Sequence, residues 1–83
     1  MSIMKKNNTE NKKAFGASLK KIRESKGMSQ SELASYSSLE KTSISRIENG
    51  RTNVTLTTAI LLSTSLGVKL KELFDFEIDE SDF

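Results

Sequence analysis

Three of the chain's four glycines, at positions 27, 50 and 67, each stand directly after a stretch of helical apolar period. Glycine reaches the left-handed backbone conformation that ends a helix without steric cost, so each is well placed just past a helix C-terminus. The three therefore cut the 83 residues into short helices, with no internal repeat and no linker between them. From Lys12 to Lys26 the apolar Phe15, Leu19 and Ile22 sit at i, i+4 and i+7, one stripe of an amphipathic helix that Gly27 ends. Ser29 and Glu32 then form a Ser-x-x-Glu capping box, and Met28 and Leu33 match a hydrophobic staple. The spacing predicts a second helix from Gln30 to about Ser37, with Tyr36 in its packing.

A third helix follows almost at once. On a helical wheel with Lys41 at zero, Ser45, Asn49, Thr42 and Arg46 fall within roughly 140° of arc. Ile44 and Ile47 fall on the opposite side and are expected in the core. Gly50 closes this helix and Arg51 lies just beyond it. Thr55 is a plausible cap for a fourth helix, with Leu56, Ala59, Ile60, Leu62 and Leu66 on its buried side and Gly67 at its end. A short fifth helix would hold Leu70, Leu73 and Phe74. From Phe74 to Ile78 apolar and acidic residues alternate, a strand-like or extended pattern. The expected organisation is a mobile tail over residues 1–11, an all-α domain over 12–75, and an acidic tail over 76–83.

Composition removes several function classes. There is no Cys and no His, hence no disulfide framework, no thiolate zinc site, no thiol nucleophile and no histidine base. The longest apolar run, Ala59 to Leu62, is far shorter than the roughly 20 residues that span a bilayer. The first residues have no apolar core of a secretory signal. Glu77, Asp79, Glu80 and Asp82 lack the glycine turn and bidentate Glu of a calcium loop, so they read as an exposed acidic tail. The expectation is a soluble, cytoplasmic, non-enzymatic domain with no metal, no cofactor, no membrane association and no small-molecule ligand.

Charge is divided unevenly. Eleven Lys and Arg against five Glu leave +6 over residues 1–51, while two against six leave −4 over residues 52–83. A basic part beside an acidic part suggests a polyanion-binding surface with an acidic end. Lys5, Lys6, Lys12 and Lys13 read as a solvated tail rather than as an arm around a duplex. Two helices joined by a three- or four-residue turn can place the second in the DNA major groove, which is about 12 Å wide. Gln30 opens the second helix, where unpaired backbone N–H groups favour a phosphate. Asn49 and Arg51 lie past the end of the third helix, where a phosphate backbone would run. Arg46 has the planar fork that takes two acceptors on a guanine edge, Lys41 can do so less selectively, and Thr42 can touch a thymine methyl.

The stretch Met28-Ser29-Gln30-Ser31-Glu32-Leu33-Ala34, then Leu39, then Ile44-Ser45-Arg46-Ile47-Glu48-Asn49-Gly50 closely resembles the lambda-repressor-like (Cro/C1, xenobiotic-response-element type) helix-turn-helix family. Leu66-Gly67-Val68-Lys69-Leu70-Lys71-Glu72-Leu73-Phe74 also looks like the end of that domain. The resemblance covers about Phe15 to Phe74 and implies a compact five-helix fold with the helix-turn-helix over residues 30–49. It implies base-reading positions at Lys41, Thr42, Ser45 and Arg46, and phosphate contacts at Ser29, Gln30, Asn49, Arg51 and Asn53. Arg23 and Glu48 match a partly buried ion pair that ties helix one to helix three. Glu40 stands where the family usually has a Ser or Thr cap, and Lys69 replaces the usual cap of helix five.

Between Thr52 and Val68 there is no charged residue, and Leu61 occupies a position this family usually makes polar. With Leu70, Phe74 and Phe76 it is the expected face of a homodimer. The function implied is a sequence-specific regulator of transcription, binding double-stranded DNA at a palindrome, with RNA polymerase as a further partner if it activates. The small size resembles restriction–modification controller proteins and small phage-type repressors. An antitoxin would use the same motif and dock its tail from Asp75 to Phe83 on a toxin.

Overall fold

The backbone at Gly27, Gly50 and Gly67 has φ of 69°, 70° and 72°. Each glycine is followed by the same pair of bonds that closes a helix end. Met28 N–H donates to the Arg23 carbonyl and Gly27 N–H to Glu24; Arg51 to Arg46 and Gly50 to Ile47; Val68 to Ser63 and Gly67 to Thr64. The computed structural model describes residues 9–82, with only the backbone of Asp82. Its helices are α1 (Thr9–Ser25), α2 (Gln30–Ser37), α3 (Lys41–Glu48), α4 (Leu56–Leu66) and α5 (Leu70–Leu73), followed by a 3₁₀ turn over Glu80–Asp82. The fold is all-α, with no strand among the described residues.

The capping box forms in full. Ser29 Oγ accepts from Glu32 N–H at 3.0 Å, and a Glu32 carboxylate oxygen accepts from Ser29 N–H at 2.8 Å. Thr55 Oγ1 accepts from Thr58 N–H at 3.1 Å and starts α4. Lys69 has no oxygen to offer as a cap, but Glu72 reaches back and accepts from its N–H at 2.9 Å. The core joins Phe15 and Leu19 of α1, Leu33 of α2, Ile44 and Ile47 of α3, Ala59, Leu62 and Leu66 of α4, and Leu73 of α5.

Four expectations need correction. α1 begins at Thr9 rather than Lys12, so residues 9–11 belong to the helix and not to a mobile tail. Residues 1–8, with Lys5 and Lys6, and Phe83 lie outside the described residues. The segment after α5 has no strand partner among the described residues; it turns tightly, Phe76 N–H donating to the Phe74 carbonyl at 2.8 Å, and it folds back on α1. There the Asn11 carboxamide donates to the Asp79 carbonyl at 3.1 Å and accepts from Asp79 N–H at 2.9 Å. Leu56 and Ile60 are 68% and 46% exposed, because the buried stripe of α4 is centred on Ala59, Leu62, Ser63 and Leu66 and leaves them on its flank. Tyr36 is 67% exposed for the same reason: Leu33 and Ser37 mark the buried side of α2, and Tyr36 projects roughly 100° away from it.

Candidate nucleic-acid interface

α2 and α3 are joined by Ser38, Leu39 and Glu40, a turn that only Ser38 enters with positive φ, at 62°. Leu39 packs against the core and anchors the turn. Ile44 and Ile47 are buried, which fixes the rotation of α3 about its axis and turns the opposite face outward. On that face Lys41, Thr42 and Arg46 are exposed and Ser45 is half-buried. Glu40 is the N-cap of α3 and makes no side-chain bond to the helix. Asn49 folds back over the last turn, its Nδ2 donating to the Ser45 carbonyl at 2.9 Å. Arg51 and Asn53 are exposed, and Asn53 lines one shallow groove together with Arg46, Ser43, Thr55 and Thr58. Lys41, Thr42, Ser45 and Arg46 therefore lie on one outward face of α3, and Asn53 lines a groove with Arg46 at its edge.

Behind that surface lies a buried polar cluster. Arg23 Nε donates to Glu48 Oε2 at 2.6 Å and Nη2 donates to Oε1 at 3.0 Å, a two-pronged pair whose side chains are 8% and 2% exposed. The remaining arm of Arg23 donates to the Met28 carbonyl at 2.6 Å. The bond to Glu48 holds the guanidinium above its ordinary range, against the opposing effect of burial. The carboxylate sits at the C-terminus of α3, where the helix dipole disfavours an anion, so the cation is what makes its burial tolerable. The same Glu48 Oε1 accepts from Gln30 Nε2 at 3.0 Å. The sequence reading placed Gln30 among the phosphate contacts and missed this inward bond.

It also missed why α1 can lie so close to α3. A Cβ on Gly16 would run into the Ile47 carbonyl oxygen and come within 2.7 Å of the Glu48 carbonyl oxygen, so the backbones touch where any side chain would separate them. A Cβ on Gly50 would lie 2.8 Å from Lys13 Cα. A glycine inside an otherwise good helical pattern was the available signal. The expected dimer residues are not all equally free. Leu61 and Phe74 are exposed, whereas Leu70 and Phe76 are half-buried against the core. The Phe74 ring lies 5.0 Å from Phe15 and 6.1 Å from Phe76. Among the described residues no His, Cys, Asp and Glu group could hold a metal ion, and no helix is long and apolar enough to cross a membrane.

Comparison with known proteins agrees with this geometry. The sequence model of a helix-turn-helix family matches residues 19–73. Control protein C.MunI from Mycoplasma sp is 44% identical over 61 residues, 72% of this chain and 82% of that protein. Control protein C.BamHI from Bacillus amyloliquefaciens is 46% identical over 63 residues, 75% and 78% of the two chains. Among solved structures, the restriction-modification controller protein C.AhdI from Aeromonas hydrophila superposes with a TM-score of 0.77 at 35% identity, covering 78% of this chain and 98% of the other.

Proposed function

Because the chain belongs to the lambda-repressor-like helix-turn-helix family and is a DNA-binding regulator of transcription, we propose that it is a controller protein of a restriction–modification system that binds a palindromic operator as a homodimer. The observation that carries the DNA reading is the outward face of α3, with Lys41, Thr42 and Arg46 exposed above buried Ile44 and Ile47. α3 enters the major groove. Arg46 reads a base edge, Lys41, Thr42 and Ser45 read its neighbours, and Ser29, Gln30, Asn49, Arg51 and Asn53 hold the phosphates on either side. One such helix spans only a few base pairs, so two copies reading half-sites about 34 Å apart supply the specificity.

The controller role is favoured over the antitoxin because the matched relatives are control proteins and because Asp79, within the segment that would seek a toxin, is bonded to Asn11 of α1. Selection of bound duplexes from a random pool gives the operator. On it, Arg46→Ala is expected to cost about 1–3 kcal/mol per half-site and to relax preference at one base pair in each. Arg51→Ala is expected to weaken all sequences alike and to lower the salt slope by about 1 for each half-site, about 2 for the bound dimer. A pool that returns no motif, or an Arg46→Ala that weakens every duplex equally, would refute the assignment.

A further inference from the structure

We propose that Glu48, although it is buried and faces no base edge, is a positioning residue for the DNA phosphate contact made by Gln30. The proposal rests on the DNA-binding reading above and deepens it. A glutamine side chain is long, and ordering it on a protein surface costs rotamer entropy. Here one N–H of the Gln30 carboxamide is already committed to Glu48 Oε1 at 3.0 Å, so the rotamer is set before DNA arrives. The carboxamide has two N–H donors, and Gln30 is only half-buried, which leaves the second donor able to face solvent at the start of α2.

Glu48 could not do this alone. A bare carboxylate next to a phosphate site would repel the ligand. The two-pronged bond from Arg23, at 2.6 and 3.0 Å, neutralises it, and the third arm of Arg23 ties the Met28 carbonyl, two residues before Gln30. Arg23 on α1, Glu48 on α3 and Gln30 on α2 thus form one hydrogen-bonded chain that sets where α2 meets the backbone of the duplex when α3 lies in the groove. Removing one member of the charged pair would strand the other, so the informative variant removes both.

The test is a cycle between Gln30→Ala and the paired replacement Arg23→Met with Glu48→Met. Binding is measured on a duplex of about 30 base pairs, three turns of B-DNA, of arbitrary sequence at low salt, since a phosphate contact needs no operator. In the unmodified chain Gln30→Ala is expected to weaken binding about tenfold, the value of one charge-assisted hydrogen bond, with an unchanged salt slope because no cation is lost. The paired replacement is expected to stay folded and to show a similar loss, and Gln30→Ala is expected to add almost nothing on top of it. An equal cost of Gln30→Ala in both backgrounds would overturn the proposal.

If the paired replacement does not fold, the side-chain amide protons of Gln30 in the unmodified chain decide by NMR. One is expected to be shifted and slow to exchange in the free protein, and the other to move when the duplex is added. Two unperturbed protons would overturn it. A chain that binds no duplex with salt-dependent affinity would sink the DNA reading itself. Additive losses with binding intact would sink only this inference.

Discussion

At Gly16 two physical effects have opposite signs. Alanine is a better helix former than glycine by about 1 kcal/mol, so propensity alone says that Gly16→Ala stabilises α1. The methyl group, however, would be driven into the Ile47 and Glu48 carbonyls, which are backbone atoms and cannot swing aside. Forcing an extra carbon into a packed contact costs about 1–3 kcal/mol, and here α3 itself must move. Gly16→Ala is therefore expected to lower the thermal midpoint, by several degrees at about 4–8 °C per kcal/mol for a domain of this size. Thermal unfolding followed by circular dichroism checks the sign; a raised midpoint would show that propensity wins. Periodicity located Ile44 and Ile47 because they repeat on one helix, but it carries no information about a partner some thirty residues away. The bond from Gln30 to Glu48 escaped the sequence for the same reason: it depends on the angle between two helices, not on spacing along either.

Helix ends show where local chemistry is sufficient and where it is not. The start of α2 and the ends of α1, α3 and α4 are decided by residues within one turn, a capping box and glycines in the left-handed region, and all were readable. The start of α1 is different. Thr9, Glu10 and Asn11 are polar and show no apolar period, so nothing local separates them from the segment before. They are helical in a chain where Asn11, 8% exposed, pairs its carboxamide with the backbone of Asp79 in both directions. This bond spans 68 positions of sequence and closes the segment after α5 onto α1, where Phe76 adds an apolar contact to the core. Asn11→Ala removes both bonds. The expected result is a loss of about 1–2 kcal/mol, from two hydrogen bonds to partly accessible partners, with the Asp79 amide exchanging its proton faster. If hydrogen exchange at Asp79 is unchanged, the Asn11 pair is not what holds the segment.

Size and charge together shape what the entire chain does. α4 lies in a stretch from Thr52 to Val68 with no charged residue, and its outer side exposes Leu56, Ile60 and Leu61. That is more free apolar surface than the sequence implied, because two of these leucine and isoleucine side chains were expected inside. A small soluble protein seldom leaves such a face unpaired, and the proposed DNA-binding mode calls for two recognition helices on one side of a duplex. Of the residues expected at the proposed dimer face, Leu61 offers the cleanest probe: it is 41% exposed, whereas Phe74 already meets Phe15 and Phe76 within its own chain. In a two-fold interface each substitution acts twice. Taking about 1.5 kcal/mol for each leucine side chain withdrawn from the interface, Leu61→Lys should weaken self-association by about 3 kcal/mol, on the order of a hundredfold, while leaving the monomer folded. Light scattering at micromolar concentration should then report a dimer for the unmodified chain and a monomer for the variant. Operator binding by the variant should turn from a steep to a shallow function of protein concentration, because the half-sites are filled singly. An unmodified chain that is monomeric both free and on its operator would remove the two-fold arrangement and leave only the single recognition helix to account for specificity.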